Sequence, residues 1–252
     1  MTAIKLLRRA IGLLTHKPIK TLAVVGPALV LIVAVSILIA MVTPELLLIG
    51  SPGVDMGRLP FGLEALVMLF AFVLSYSLMA IMWHRYSLGH DNHPKHLSPT
   101  LFLGYLWRVG ILALIQITVS LAVIVPLVLA SHNAGGGVRP AIPSILIATF
   151  VSQLLLIWLS LRLSLILPAA AIGRPIKMKD SWDCTTPIAH PLWGVAAALA
   201  LLNTIIRALV AFLGLQSPVY IVALELPIYI LKGLLVLSIL TTLYTSQIQK
   251  RT

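Results

Sequence analysis

The sequence predicts an all-α fold: a polytopic bundle of about six membrane-spanning helices, preceded by an amphipathic helix at the N-terminus. Two observations carry this. Of 252 residues, 60% are hydrophobic and only 10% charged, where a water-exposed globule is nearer half apolar and a quarter charged. Mean hydropathy is +1.05, and the apolar residues fall in continuous runs rather than in alternation, as helices in lipid require and barrels do not. This composition excludes a disordered chain and a coiled coil, and it argues against a soluble enzyme domain. The lone Cys184 excludes an internal disulfide and a four-cysteine metal site.

The organisation expected is an interfacial segment over residues 1–20 followed by one transmembrane domain over 21–252. In the first segment Ile4, Leu7, Ile11 and Leu14 recur at helical spacing, while Lys5, Arg8 and Arg9 lie elsewhere on the wheel. That pattern suits a helix lying among anionic headgroups, ended by Pro18. The runs expected to cross the bilayer are Thr21–Val42, Phe61–Trp83, Leu101–Ala130, Ser144–Ile172, His190–Gly214 and Val219–Tyr244. Between them stand breakers such as Ser51-Pro52-Gly53, Ser98-Pro99, Gly135-Gly136-Gly137 and Ser217-Pro218. The first run is too long for a signal-peptide core and no Ala-x-Ala site follows it, so it is read as a retained helix. The third and fourth runs exceed the bilayer, with Pro126 and Pro168 as candidate kinks.

Eighteen basic residues against seven acidic give a net charge of +11. Five basic residues lie in the N-terminal segment (Lys5, Arg8, Arg9, Lys17, Lys20), and the loops after the second and fourth runs hold Arg85 and Lys95, then Arg174, Lys177 and Lys179. Lys250 and Arg251 follow the last run, while the opposite side holds only Arg58 and Arg139. Lys and Arg collect on the cytoplasmic side, so both termini are expected in the cytoplasm. The excess charge is thus read as topology, and no nucleic-acid partner is expected.

Four basic residues lie inside apolar runs, and each needs an account. Arg207 and Glu225 are equally spaced about Gln216, the centre of the last turn, which puts them at one depth; they are expected to form an intramembrane ion pair. Lys232 lies near mid-span with Gly233 beside it. It is read as a buried cation, either satisfied by Glu225, Asn203 or Gln153 or awaiting an anionic ligand. Arg108 and Arg162 are read as snorkelling to the cytoplasmic headgroups. Glu64 lies within a turn of the other interface. An internal repeat is also visible: Arg85-Tyr-Ser87-Leu88 and Arg162-Leu-Ser164-Leu165 share Arg-x-Ser-Leu, and Leu106-Trp107 and Leu192-Trp193 open the helices that follow. Such duplications occur in transport folds.

The loop from His84 to His96 contains His90, Asp91, His93 and His96, whose side chains at short spacing can bind zinc, nickel or copper. No GxSxG, Walker A, GxGxxG or HExxH occurs, so no catalytic residue, cofactor or enzymatic activity is expected.

Two stretches carry a family resemblance. One is Trp83-His-Arg-Tyr-Ser-Leu-Gly89. The other is Arg162-Leu-Ser-Leu-Ile-Leu-Pro168-Ala-Ala-Ala-Ile-Gly173 followed by Lys179-Asp-Ser-Trp182-Asp-Cys-Thr185. With six spans, these resemble uncharacterised bacterial inner-membrane proteins related to the membrane domain attached to some glycerophosphodiester phosphodiesterases. The chain departs from the pattern after Thr185, where Pro187 and Pro191 appear in place of a Gly. It has no phosphodiesterase barrel, so that catalysis does not carry over. The resemblance implies a bacterial plasma-membrane bundle in which Arg162, Pro168, Trp182 and Thr185, beside Arg85 and Arg108, line the cytoplasmic mouth. The function expected is a non-catalytic scaffold, accessory subunit or assembly factor that binds anionic lipid or a membrane-protein partner. The alternatives are a small transporter or channel for an anionic solute or lipid, and a metal-handling protein.

Overall fold

A computed structural model describes residues 2–44, 62–89, 98–133, 142–213 and 221–248; side chains at 124–133, 142–149, 207, 211, 213, 221 and 222 lie outside that description. The described residues are helical, with no strand among them. Nine helices are followed here: α1 (Ala3–Thr15), α2 (Pro18–Val42), α3 (Leu63–Ser87), α4 (Pro99–Asn133), α5 (Ile142–Leu163), α6 (Ile166–Ala171), α7 (Met178–Thr185), α8 (Ala189–Leu213) and α9 (Leu226–Gln247). Five stretches are long and apolar enough to cross a membrane: Pro18–Val42, Leu63–Ser87, Pro99–Val123, Met178–Val210 and Ala223–Gln247. Large apolar side chains such as Val30, Phe70, Leu114 and Phe212 point outward along them. The protein is therefore a multi-pass membrane protein, since an apolar exterior of this extent is stable only in hydrocarbon.

Helix α1 begins where Thr2 accepts a hydrogen bond from the Lys5 amide at 3.4 Å. It ends before Pro18, whose fixed φ and missing N–H make it a helix starter, and it opens α2. Ile4 and Ile11 of the aliphatic stripe lie outside the face that packs α1 on the bundle. Leu6 and Ala10 are 3% and 0% exposed, while Ile4 and Ile11 are 77% and 48% exposed. Small residues decide this: a Cβ on Gly194 of α8 would stand 2.9 Å from the Ala3 Cβ, so α1 and α8 meet where both are thin. Leu6 and Ala10 share a core with Leu161, Leu192, Ile239 and Leu243. A second core joins Val25 and Ile32 of α2 to Met79 and Trp83 of α3, Tyr105 of α4 and Leu237 of α9.

The expected fourth run, Ser144–Ile172, is not one helix. The helix is interrupted between Leu163 and Ile166, and α6 is a separate short helix. Pro168 explains the position of the break, since its ring would strike the carbonyl of residue 164 in a continuous helix and its missing N–H would leave that carbonyl unbonded. Instead the Leu167 amide bonds Ser164 O at 3.0 Å. Gly173, at φ +76°, closes α6, and the Arg174 amide donates to Ala169 O at 2.9 Å. Pro126 causes no such break, and α4 stays helical through it. Before α9 the chain makes a π turn over Ile221–Glu225, two residues ahead of Pro227.

Candidate functional site: three polar groupings in an apolar bundle

At the pole where α1 packs against the C-terminal half of α9, a cavity of about 640 Å³ opens between four helices. Three of them present stripes at helical spacing. Arg9, Leu13 and His16 come from α1; Trp83, Tyr86 and Ser87 from the last turn of α3; Thr242, Thr245 and Ser246 from the end of α9. Residues three and four apart share a helix face, so each stripe is a local consequence of sequence. Lys17, the N-cap of α2, completes the rim. The lining holds no carboxylate. Beneath it, His84 Nδ1 meets Thr241 Oγ1 at 2.9 Å, which ties α3 to α9.

The second grouping surrounds Arg162. Its side chain is 5% exposed, so it does not snorkel, contrary to the sequence reading. One terminal nitrogen donates to Trp182 O at 3.1 Å and to Thr186 Oγ1 at 2.8 Å, and Nε donates to Thr185 Oγ1 at 3.3 Å. The guanidinium carbon lies 3.5 Å from the Trp182 ring centre and 5.2 Å from that of Trp158. Trp158 in turn stacks on Trp193 at 4.6 Å. Ser181 Oγ donates to Arg162 O at 2.6 Å. The cause of the difference is α7, which folds back over the end of α5 and supplies partners 20 to 24 residues downstream.

The third grouping lies deeper. Lys232 Nζ donates to Asn203 Oδ1 at 2.8 Å, and Asn203 Nδ2 donates to Gln153 Oε1 at 3.3 Å. A line of polar side chains thus crosses α9, α8 and α5; of the three residues expected to satisfy the lysine, Asn203 bonds it directly and Gln153 bonds Asn203. Beside it, Gly233 lets α3 approach: the Tyr76 hydroxyl occupies the space a Cβ would need, with ring atoms at 3.0 and 3.2 Å.

Arg162, Trp182 and Thr185 are brought together, and Pro168 is buried nearby in α6. Arg108 is half-buried, with a guanidinium nitrogen 2.6 Å from Gly104 O, one turn back on its own helix. Arg85 is half-buried at the end of α3. None of these lines the cavity, which is built from residues the sequence reading did not single out as a site. The signal was there in part: Thr241-Thr242, Thr245 and Ser246 end an otherwise apolar helix, and Arg9 and His16 lie seven apart. The expected pair of Arg207 with Glu225 lies outside the described residues, because the Arg207 side chain does. So do His90, Asp91, His93 and His96. Among the described residues no three His, Cys, Asp or Glu side chains gather as a metal site. The chain matches no family model, no curated protein and no solved structure.

Proposed function

We propose that this protein is a non-catalytic scaffold or accessory subunit of a bacterial plasma membrane, with both termini cytoplasmic, that engages anionic lipid at its basic pole. One observation carries the reading: α1 is fixed to the bundle by Leu6 and Ala10 while Ile4 and Ile11 stay exposed beside Lys5 and Arg8. An aliphatic stripe next to cations is the arrangement that lies among anionic headgroups. The helix also packs against the last span and joins directly to the first, which supports a position near the ends of the spans. The resemblance of the α5–α7 segment to a membrane domain agrees with a role in the bilayer rather than in catalysis. Anion transport through Lys232 has less support, since that ammonium donates to Asn203.

The test is lipid composition. Protein extracted in native-lipid discs should be enriched in anionic lipid over the bulk membrane. Replacing Ile4 and Ile11 by serine together with Lys5 and Arg8 by glutamine should abolish the enrichment. A lipid complement equal to the bulk in the parent protein overturns the reading.

A further inference from the structure

The cavity bounded by Arg9, His16 and Lys17 has the chemistry of a defined site, beyond a generally basic face. Its cations come from two helices and its hydroxyls from two more. Each Ser and Thr hydroxyl of the lining now donates to a carbonyl of its own helix: Ser87 to Trp83 O at 2.7 Å, Thr242 to Ser238 O at 2.8 Å, Thr245 to Thr242 O at 3.0 Å and Ser246 to Leu243 O at 3.1 Å. Those bonds back onto helical carbonyls are weak obligations that a ligand can replace. A second, independent observation points the same way. Trp83 lines the cavity and is 0% exposed, yet its indole N–H has no hydrogen-bond partner among the described residues. A buried N–H without an acceptor costs about 1–3 kcal/mol, and an indole nitrogen can only donate. The lining therefore holds two permanent cations, several hydroxyls and the Trp83 ring with its unpartnered N–H, and no acidic group. Lys17 also stands at the start of α2, where the helix dipole adds positive potential.

We propose that this cavity binds one phosphate-bearing group. The ligand is a tetrahedral oxyanion, because donors on α1, α2, α3 and α9 converge from more directions than a planar carboxylate can use. Two permanent cations, Arg9 and Lys17, and the lack of a carboxylate in the lining disfavour a metal cation. The volume, about 640 Å³, accommodates a phospholipid headgroup. The depth agrees: Ser87 ends α3, Lys17 precedes α2, and Thr245 and Ser246 lie in the last turn of α9. The chemistry is common to a lipid phosphate and free inorganic phosphate. This proposal rests on the anionic-lipid reading above and narrows it to one stoichiometric site.

The experiment is native mass spectrometry of the full chain in detergent, titrated separately with phosphatidic acid, with phosphatidylcholine of the same chains and with inorganic phosphate. One phosphatidic acid per chain is expected, with phosphatidylcholine bound more weakly. The double variant Arg9→Gln, Lys17→Gln should weaken binding about tenfold or more. Trp83→Phe, which keeps the ring and removes the N–H, should weaken it about threefold. Arg174→Gln, Lys179→Gln removes the same charge from exposed positions outside the cavity and should leave binding within about twofold. Inorganic phosphate bound with the same residue dependence supports the site and makes the free anion its source; binding of phosphatidic acid alone makes the source lipid. Equal losses in the two double variants overturn the site and leave the interfacial reading standing. No anionic lipid retained, together with a bulk-like lipid complement in native discs, overturns both. All variants are compared by melting temperature first, and a Trp83 variant that melts early is replaced in the comparison by the Arg9, Lys17 pair, whose side chains are exposed.

Discussion

Two basic clusters occupy one pole of this bundle and differ in a single respect. Around Arg162 the protein answers its own cation, with two hydroxyls, a carbonyl and two indole faces. Around Arg9, His16 and Lys17 the cations stay exposed and the nearby hydroxyls spend their protons on their own helices. A basic residue in an apolar chain is thus no guide to binding by itself. What separates a structural cation from a receptor is whether a neighbouring element folds back to satisfy it, as α7 does for Arg162 and no described segment does over the cavity.

That contrast can be broken at Arg162 first. Arg162→Met removes three hydrogen bonds from a buried site and should cost about 3 kcal/mol, read as a fall in melting temperature in detergent. Arg162→Lys keeps the charge but loses the planar fork, and should recover less than half of the loss. An unchanged melting temperature in the Met variant would make the cluster as dispensable as a surface charge.

Next in size is Gly233→Ala, expected to cost about 2 kcal/mol because the new methyl displaces the Tyr76 hydroxyl. Tyr76→Phe in the same chain should return part of that loss, and a double-mutant cycle measures the coupling. Lys232→Met should fall within about 1 kcal/mol of the parent, since replacing a buried ion by an apolar residue of similar length is often near neutral. A large loss there would show that the Asn203–Gln153 line needs its cation. The smallest stability effect belongs to Arg9→Gln, Lys17→Gln, within about 0.5 kcal/mol by melting temperature, although the same pair has the largest effect on phosphate binding. The comparison holds when stability and binding respond to opposite clusters.

Much of the fold was legible because lipid imposes length. The apolar runs Thr21–Val42 and Phe61–Trp83 locate α2 and α3 within four residues, and Pro18 marks the junction of α1 and α2. Of the two candidate kinks, Pro168 accounts for the helix break before Ile166, while α4 runs unbroken through Pro126. The wheel of α1 marks Ile4 and Ile11 as an apolar stripe, and both stay exposed; it does not show which residues pack on the bundle. Close packing at Gly194 instead selects Ala3, Leu6 and Ala10. Arg162 could not be assigned locally, as its acceptors lie on another helix. The cavity was readable only as fragments, since three short stripes from α1, α3 and α9 mean nothing until tertiary packing sets them around one space.

The clasp between α1 and α9 has a temporal consequence. Leu6 and Ala10 find their partners at Ile239, Leu240 and Leu243, more than two hundred residues later in the sequence. The contact of α1 with α9 can therefore form only after α9 has been made. The chamber at that pole, which α1 and α9 both line, is complete only from that point.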